Sequence, residues 1–383
     1  MSPTPVSFNP PNAPSTYSWE ATNEAVAERY GVDPATIVRF DLNTSPAPPA
    51  MIEGLLAAGR FEASLAEYPP SDYRRLIAAA AARYGVASDE LMVGAGADEV
   101  LDIIAKACIA AGDRAVVPVP SYAMYRVLTE QRAASVVPVP RLGPERDWAL
   151  DPGATRAAVA AHSAAVVWLC SPNNPTALAE QDGAIATLLA DITEDAATAG
   201  RSAPIVVLDE AYAEFVGASL VGLRAVYPNL VVVRTASKAY ALAGLRVGFA
   251  LARPELIERL NVYRPPGSVS TVSVSAVTAA LLDPDILEAN LGRVVTERAR
   301  LTEGLAALGW TVGPSVTNFV LVDLGTPDRA AAVADGLLRR GLVPRTFGHG
   351  HPLAHHLRLT VRAADENDRL IAAATDLAKE IPA

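Results

Sequence analysis

The chain contains three lysines, Lys106, Lys238 and Lys379, whereas the other 29 of its 32 basic residues are arginines. Lys106 lies in a helical pattern and Lys379 in the C-terminal tail, where a solvated surface role explains both. Lys238 follows the apolar run at residues 230–233, and open α/β sheets place their chemistry at strand ends. A lysine amine can form a Schiff base and a guanidinium cannot. Lys238 is therefore a candidate anchor for an aldehyde cofactor, above all pyridoxal phosphate.

An aspartate follows a second apolar run in the same way. Asp209 comes directly after residues 205–208, and a carboxylate at the end of a buried strand is costly unless it is paired. A protonated pyridine nitrogen would pair it, and pyridoxal phosphate needs that proton to act as an electron sink. The alternative is that Asp209 only caps the next segment.

Two further stretches could bind a phosphate. Residues 94–99, Gly-Ala-Gly-Ala-Asp-Glu, lead from a predicted strand into a helix, and the free N–H groups of a helix N-terminus bind anions. The stretch lacks the third glycine of a dinucleotide fingerprint, and it could also be a plain turn capped by Asp98. Ser237 and Arg246, on either side of a glycine-containing loop, could both bind the same phosphate.

Two other stretches could contact a flat ring. In residues 120–125, Tyr122 lies just past a predicted strand and could stack on a cofactor ring. Tyr125 is better explained as an aromatic residue packed in the core. Residues 171–176, Ser-Pro-Asn-Asn-Pro-Thr, either form turns only or supply an amide that donates to a ring oxygen.

These clusters need a scaffold that brings strand ends together. From about residue 91 to residue 262, short strands rich in Val, Ile and Ala alternate with helices. Strands that are apolar on both faces are typical of a parallel sheet covered by helices. Upstream, the pattern predicts helices over 18–30 and 51–65 and a strand over 37–42.

The pattern changes at residues 265–268, Pro-Pro-Gly-Ser. Beyond this break we expect a long helical region over 272–308, interrupted near residue 283. The last quarter predicts strand, helix, two strands and helix, with strands over 316–322 and 343–346, which is typical of a compact α+β unit. The predicted fold class is α/β, with a large domain and a smaller α+β C-terminal domain.

The composition is that of an ordinary globular protein, 51% hydrophobic and 19% charged over 383 residues. Its net charge of −10 and the absence of a basic run argue against nucleic-acid binding. Cys108 and Cys170 lie in apolar segments, which favours a reducing compartment. Residues 1–17 lack the features of a signal peptide, and no apolar run reaches the roughly 18 residues of a membrane span. We therefore expect a cytoplasmic protein that binds neither membrane nor nucleic acid.

In this order, the clusters resemble those of class I/II aminotransferases, pyridoxal-phosphate enzymes of fold type I, over nearly the whole chain. Within that group the chain looks most like the histidinol-phosphate aminotransferases. The motifs that carry the resemblance are residues 96–99, 120–125, 171–176, 209–212 and 237–246. The resemblance implies a homodimer and a seven-stranded, mostly parallel sheet. It also implies a large cofactor-binding domain (49–268), a small domain (269–383), and an N-terminal arm and helix (1–48) that contact the small domain and the partner subunit.

The resemblance also implies a set of cofactor contacts. Lys238 would be the Schiff-base lysine, and Asp209 would pair with the pyridine nitrogen. Asn174 and Tyr212 would contact the ring hydroxyl, with Tyr212 also counted among the catalytic residues, and Tyr122 would stack on the ring. The phosphate would be held by the remaining members of the set: the backbone of Ala97 and Asp98, Ser237, Arg246 and, from the neighbouring subunit, Tyr68.

On the substrate side, Arg358 matches the family's arginine for the substrate anion, and Arg345 resembles a second one. Asn43 and Asn174 complete the implied substrate contacts. Five departures from the family pattern also lie around the substrate: a partial match at residues 43–46, Glu67 for a basic residue, Ala177 for a glycine, Gly267 for a tyrosine and Arg362 for a small residue. The alanine is tolerable if its φ is negative.

Four histidines precede Arg358 closely: His349, His351, His355 and His356. No Cys or acid joins them in the sequence, and a glycine-bearing loop is an imprecise metal cage. We therefore predict no metal site. A mobile loop over the substrate, sensitive to pH, is the preferred interpretation.

The expected activity is a pyridoxal-phosphate-dependent aminotransferase with a ping-pong Schiff-base mechanism. It would move an amino group from histidinol phosphate or an amino acid to a 2-oxo acid such as 2-oxoglutarate. Three alternatives on the same scaffold are a lyase that decarboxylates a phosphorylated amino acid, an aromatic amino acid aminotransferase, and an oxidase or tautomerase. A non-catalytic cofactor-binding regulator is a further class, against which the acidic charge argues.

Overall fold

The structure of the protein is a computed structural model that describes residues 21–59 and 61–381. The predicted N-terminal arm and Trp19, in the predicted first helix, lie outside these residues. The strands are β1 Val38–Arg39, β2 Leu91–Gly94, β3 Arg114–Val119, β4 Ser135–Pro140, β5 Val166–Cys170, β6 Ile205–Asp209, β7 Leu230–Thr235, β8 Gly248–Leu251, β9 Thr311–Val312, β10 Phe319–Asp323, β11 Leu342–Val343 and β12 His356–Thr360. The helices are α1 Asn23–Tyr30, α2 Ala50–Ala58, α3 Arg74–Tyr84, α4 Gly96–Cys108, α5 Met124–Gln131, α6 Pro152–His162, α7 Ala184–Thr198, α8 Pro254–Asn261, α9 Thr271–Leu282, α10 Pro284–Ala306, α11 Pro327–Leu338 and α12 Ala364–Glu380.

The main sheet has seven strands in the order β2-β8-β7-β6-β5-β3-β4. The neighbours from β7 to β4 are parallel, and only β8 is antiparallel to both of its neighbours. The predicted fold class is therefore confirmed. Because the strands β3, β5, β6 and β7 point the same way, their carboxyl ends meet at one edge of the sheet.

The sheet is covered by helices on both faces, as its apolar strands predict. Within β6, Val206 and Leu208 pack on the side of α2, α3, α7 and α9, whereas Val207 packs on the side of α4, α5 and α8. This alternation is the side-chain period of a strand. Among the described residues, no helix is both long enough and apolar enough to cross a membrane.

The C-terminal part contains an antiparallel sheet of order β12-β10-β9, which packs with α10, α11 and α12 around a core of its own. Residues upstream of the main sheet join this core, because Val38 and Phe40 pack in it and β1 pairs with β11 in parallel. The C-terminal core therefore includes residues from a segment that lies far upstream in the sequence. The division into residues 1–48, 49–268 and 269–383 stays a prediction.

Several predicted elements are shorter in the structure than in the sequence pattern. The predicted helix over 51–65 ends at Ala58, because Gly59 adopts a left-handed φ of 62° that closes the helix. The predicted strand over 343–346 ends at Val343, and the one over 37–42 is only β1. The break near residue 283 is confirmed, since Asp283 caps α10 and accepts a hydrogen bond from Asp285 N.

Gly248 marks the place where β8 passes closest to the start of α4. A Cβ at this position would lie 2.5 Å from Ala97 N and 2.5 Å from Gly96 C, both rigid backbone atoms. We expect Gly248→Ala to lower the free energy of unfolding by about 1–3 kcal/mol, measured by thermal and denaturant unfolding. The matched control is Gly244→Ala, since a Cβ there meets nothing within 4 Å. Equal stabilities for the two variants would contradict this close packing.

Candidate active site

A cavity of about 260 Å³ opens at the carboxyl edge of the main sheet. Eleven of the thirteen predicted site residues line it: Asn43, Ala97, Asp98, Tyr122, Asn174, Asp209, Tyr212, Ser237, Lys238, Arg246 and Arg358. Tyr68 and Arg345 are the two that do not. The residues come from five strand ends of the main sheet, from β12 and from the N-terminal segment, so the fold brings together groups far apart in the sequence.

Lys238 lies three residues beyond the end of β7. Hydrogen bonds between Thr235 and Ser237 stabilise the turn just before it. Thr235 Oγ1 accepts from Ser237 N at 3.2 Å and donates to Ser237 Oγ at 2.9 Å. The amine Nζ of Lys238 donates to Leu42 O at 3.2 Å. Burial, and next the charge of Arg358, lower the pKa of Lys238 to about 8. A larger fraction of this amine is therefore neutral at physiological pH than of an ordinary lysine.

Asp209 is the last residue of β6 and is 4% exposed. Its Oδ1 accepts from Ala211 N at 3.0 Å, and its Oδ2 accepts from the Tyr125 hydroxyl at 2.8 Å. Burial raises the pKa of Asp209 to about 6 despite these hydrogen bonds. A buried carboxylate of this kind is stabilised by a cationic partner, so the site suits a protonated ring nitrogen.

The start of α4 and Arg246 together form a cradle for an anion. Gly96 has a φ of +83°, and a Cβ on it would lie 2.4 Å from Arg246 Nη2. Arg246 itself adopts a left-handed φ of 50°, and its Nη2 lies 3.2 Å from Asp98 Oδ2. The helix N-terminus, the guanidinium and the nearby Ser237 hydroxyl are donors that could hold a phosphate group.

Two tyrosines are held by hydrogen bonds at the wall of the cavity. The Tyr122 hydroxyl donates to Asp98 Oδ1 at 2.9 Å, which fixes its ring at the side where a flat cofactor could stack. Asn43 Nδ2 donates to the Tyr212 hydroxyl at 2.9 Å. Burial raises the pKa of Tyr212 above its ordinary value, so its hydroxyl stays protonated and can donate.

Arg358, on β12, presents a guanidinium to the same cavity. Its Nη1 donates to Asn174 Oδ1 at 2.6 Å and its Nη2 to Asp41 O. The guanidinium also lies over the Phe319 ring, 5.3 Å from the centroid. The side chain is therefore held in place, and its planar fork suits a carboxylate or a phosphate.

Residues 41–44, which we call the 41–44 segment, also line the cavity. Each of its four carbonyl oxygens accepts from a different side chain. The donors, in order from residue 41, are Arg358, Lys238 at 3.2 Å, Asn318 at 3.0 Å and Arg362 at 3.2 Å. The roles of Asp41 and Leu42 could not be predicted, because a hydrogen bond to a backbone carbonyl leaves no pattern in the sequence.

The two remaining predicted residues lie elsewhere. Tyr68 is 94% exposed, and its predicted contact with a partner subunit stays a prediction. Arg345 pairs through its backbone with Arg358, at 3.1 Å from N to O, but its side chain lines a neighbouring cavity. That cavity shares Tyr122 with the first one and is also lined by Arg126, His349 and His351.

Two of the departures from the family pattern have structural consequences. Ala177 has a φ of +69° and is fully buried, so the condition under which this alanine is tolerable, a negative φ, is not met. Its N donates to Asn173 O at 2.9 Å, which holds the turn in this conformation. Arg362 donates to Thr44 O and, at 2.8 Å, to Glu366 Oε1. It therefore anchors the 41–44 segment to α12.

The histidine cluster has an acidic neighbour that sequence spacing does not reveal. Asp323 pairs across the sheet with His356, and its carboxylate lies with the ring nitrogens of His355 and His356 within 4.8 Å of one another. The expectation that no acid joins these histidines is therefore wrong, although the predicted absence of a metal stays a prediction. Burial, and then His355, lower the pKa of His356 to about 4, which keeps this ring neutral at physiological pH.

Tyr125 is the functional candidate that the sequence reasoning assigned only to the core. It is fully buried as expected, and its hydroxyl also contacts Asp209. The available signal was the residue type, because a buried tyrosine usually finds a hydrogen-bond partner and a phenylalanine would serve for packing alone.

The aminotransferase class I and II family model matches residues 41–374. The histidinol-phosphate aminotransferase of Symbiobacterium thermophilum is 36% identical over 339 residues, which cover 88% of this chain and 89% of that protein. The histidinol-phosphate aminotransferase of Roseiflexus castenholzii is 35% identical, covering 94% and 93%. Among solved structures, the histidinol-phosphate aminotransferase of Sinorhizobium meliloti in complex with pyridoxal-5'-phosphate has a TM-score of 0.85 at 27% identity, covering 95% and 96% of the two chains.

Proposed function

This chain belongs to the class I and II aminotransferase family, and from this premise we propose that it moves the amino group of histidinol phosphate to a 2-oxo acid such as 2-oxoglutarate. It is a pyridoxal-phosphate-dependent aminotransferase. The observation that carries the proposal is the shared cavity of Lys238, Asp209 and Arg358. It brings an amine, a buried carboxylate and an anion-binding guanidinium to one reaction space.

Pyridoxal phosphate, when bound, supplies an aldehyde that condenses with amines and a ring that withdraws electrons from the substrate carbon. Lys238 would bind the aldehyde carbon through Nζ, and the same amine would move a proton to and from the substrate carbon. Asp209 pairs with the protonated ring nitrogen. The ring hydroxyl is contacted by Asn174 and Tyr212. The phosphate is held by α4's first residues, Ala97 and Asp98, with Ser237 and Arg246.

Two features of the cavity suit these roles. Gly96 leaves the space in front of Arg246 that a Cβ would fill, and Asp209 has accepted only one hydrogen bond on each oxygen among the described residues. Each carboxylate oxygen can accept two, so a ring N–H has an acceptor in place.

The substrate assignment rests on two guanidinium groups at neighbouring positions. A donor such as histidinol phosphate carries a phosphate monoester, whereas 2-oxoglutarate carries carboxylates, and a planar fork binds either kind of anion. Arg358 faces the reaction space and suits the 2-oxo acid. Arg345, in a neighbouring cavity with Arg126, His349 and His351, suits the more distant phosphate.

The proposal extends to assembly and location. Leu65 and Tyr68 are 67% and 94% exposed within four residues of each other, and large exposed apolar side chains favour an interface. We expect a homodimer in which Tyr68 reaches the phosphate of the neighbouring site. Light scattering of the purified protein measures the molar mass and so tests the dimer. Both Cys108 and Cys170 are free thiols, which suits a cytoplasmic enzyme.

A panel of amino donors with 2-oxoglutarate as acceptor tests the function directly. Histidinol phosphate, histidinol and the aromatic amino acids are compared by kcat/KM, and histidinol phosphate is expected to rank first. A higher kcat/KM for phenylalanine or tyrosine would contradict the proposed donor. Release of CO₂ without a 2-oxo acid would instead indicate the lyase, which the family match does not favour.

Arg345→Gln tests the proposed phosphate contact. We expect it to raise the KM for histidinol phosphate about 10- to 100-fold, because a hydrogen bond between charged groups is lost. The KM for histidinol, which lacks the phosphate, should change much less. Arg339→Gln is the matched control, since this exposed arginine pairs with Asp335 on α11, lies over the Tyr30 ring and lines neither cavity. Equal losses for both donors would remove Arg345 from the phosphate site.

A further inference from the structure

The base of the cavity contains a buried aromatic cluster centred on Tyr125 of α5. Its ring stacks on Trp168 with centroids 5.4 Å apart and planes 5° apart, and it meets the Tyr122 ring edge-on at 5.7 Å. Thr129 ties the cluster together, because its Oγ1 donates to Tyr125 O at 2.7 Å and accepts from Trp168 Nε1 at 3.2 Å. The Tyr125 ring is therefore held by two aromatic neighbours and at its backbone.

The hydroxyl of this fixed ring donates to Asp209 Oδ2 at 2.8 Å, while Ala211 N donates to Oδ1 at 3.0 Å. The two donors come from different elements and define the plane of the carboxylate. Burial raises the pKa of Tyr125 well above its ordinary value. The hydroxyl therefore keeps its proton throughout the physiological range and can only donate to the carboxylate.

The other groups around Asp209 set its charge less directly. Cys170 lies beside it on β5, and burial raises the pKa of this thiol to about 12, which keeps it neutral. From the cavity side, the charge of Asp98 raises the pKa of Asp209 and that of Lys238 lowers it. Tyr212 also faces the carboxylate and is protonated. The side-chain hydrogen bond that Asp209 accepts comes from Tyr125.

We propose that Tyr125 is a positioning residue for Asp209: its hydroxyl keeps the carboxylate ionised and oriented toward the ring nitrogen of the cofactor. This inference rests on the proposed function, in which Asp209 pairs with that nitrogen. Tyr125 acts through Asp209 alone, since Tyr125 is absent from the residues that line the cavity. The sequence places the two residues 84 positions apart, and only the fold brings them together.

Tyr125→Phe removes the hydroxyl and keeps the ring that stacks on Trp168. The pKa of Asp209 is about 6 with this hydrogen bond, which lowers it. Without the bond, the pKa rises and the carboxylate becomes ionised only at higher pH. A hydrogen bond to a charged group is worth enough to move the acid limb of cofactor binding upward by about one to two pH units.

The experiment measures the dissociation constant of pyridoxal phosphate from pH 5 to pH 9 by equilibrium dialysis. It compares Lys238→Ala with Lys238→Ala/Tyr125→Phe, because the Lys238 amine also titrates in this range and would add its own pH dependence to cofactor binding. At pH 5 the double variant should bind the cofactor about 10- to 100-fold more weakly, and the two affinities should converge above pH 8. In steady-state assays of Tyr125→Phe alone, kcat should fall near neutral pH while the KM of the amino donor changes little. A merely structural role would weaken binding equally at all pH values.

The matched control is Tyr84→Phe, because this buried hydroxyl makes no hydrogen bond within the described part of the chain and its ring also packs on a core aromatic, Phe249. It should leave the acid limb in place. Thermal unfolding of each cofactor-free variant establishes that the folded protein is being compared.

Asp209→Asn tests the pairing of Asp209 with the ring nitrogen separately from the role of Tyr125. If this variant, made in the same Lys238→Ala background, keeps the acid limb, the pairing of Asp209 with the ring nitrogen fails and the inference fails with it. If Asp209→Asn removes the limb while Tyr125→Phe leaves it unchanged, only the role of Tyr125 is overturned. A limb that is removed by the first variant and shifted upward by the second supports the proposal.

Discussion

Lys238→Ala is expected to lower kcat by at least about 10²- to 10⁴-fold, the usual contribution of a positioned group that transfers a proton. Its amine points into the cavity, 5.9 Å from the Tyr212 ring centroid, and no other lysine lines that cavity. The variant should also lose the adduct that borohydride reduces, because no amine remains to hold the cofactor covalently. Steady-state kinetics and mass spectrometry of the reduced protein measure the two effects.

The controls exploit the rarity of lysine in this chain. Lys106→Ala removes a surface amine on α4 that pairs with Asp102 at 2.6 Å, and it should retain both activity and adduct. Lys238→Arg keeps a positive charge but cannot form the covalent bond, so it separates charge from nucleophilicity. A reducible adduct that persists in Lys238→Ala at a comparable yield would overturn the assignment.

The same residue predicts a pH dependence. Since burial and Arg358 lower the pKa of Lys238 to about 8, its amine is mostly protonated below pH 8 and mostly neutral above it. Only the neutral amine attacks an aldehyde. Adduct formation in the cofactor-free protein should therefore accelerate with pH up to about 8 and level off beyond it, whereas an ordinary lysine would continue to accelerate toward pH 10.

Asp209→Asn is expected to lower kcat by about 10²- to 10³-fold, the usual cost of removing one preorganised electrostatic contact. The amide oxygen can still accept a hydrogen bond, but it carries no charge to hold the ring nitrogen protonated. The KM of the amino donor should change much less, because the side chain does not contact the substrate in the proposed arrangement. Asp102→Asn, a surface carboxylate on α4, is the matched control.

A measurement of stability distinguishes the loss of this electrostatic contact from misfolding of the Asp209→Asn variant. The pKa of Asp209 is higher in the folded protein than its ordinary value, so the folded state binds this proton more tightly and loses stability as pH rises from about 4 to 6. At pH 7 the cofactor-free wild type carries that cost, and the amide does not. The melting temperature of cofactor-free Asp209→Asn at pH 7 should therefore equal or exceed that of the wild type. A large drop would mean that lost folding explains the lost activity.

The cavity was predictable to the extent that each of its parts follows an apolar strand. Lys238, Asp209, Asn174 and Tyr122 come after strands whose carboxyl ends meet in a parallel sheet, so the order of strands alone brings them together. Arg358 could be found because of the family motif around it. Its own strand belongs to a different sheet, and no pattern in the sequence relates the two sheets.

What could not be predicted depends on contacts between distant segments. The neighbour of the histidines, Asp323, is defined by cross-strand register, which spacing does not encode. The positive φ of Ala177 depends on a local turn that other residues hold in place. The hydroxyl of Tyr125 has a role that appears only when α5 is packed against β6.

The four carbonyl contacts of the 41–44 segment have a consequence for binding. Two of the donors, Lys238 and Arg358, are the groups that a cofactor aldehyde and a substrate anion would engage, whereas Asn318 and Arg362 face no ligand in the proposed arrangement. A ligand that takes over the first pair competes with the backbone for the same protons and leaves the segment held at one end. Ligand affinity and the docking of the N-terminal segment are therefore thermodynamically linked, and each weakens the other by the same factor. Loosening the segment at its Arg362 contact, away from the substrate contact proposed for Asn43, should therefore tighten ligand binding.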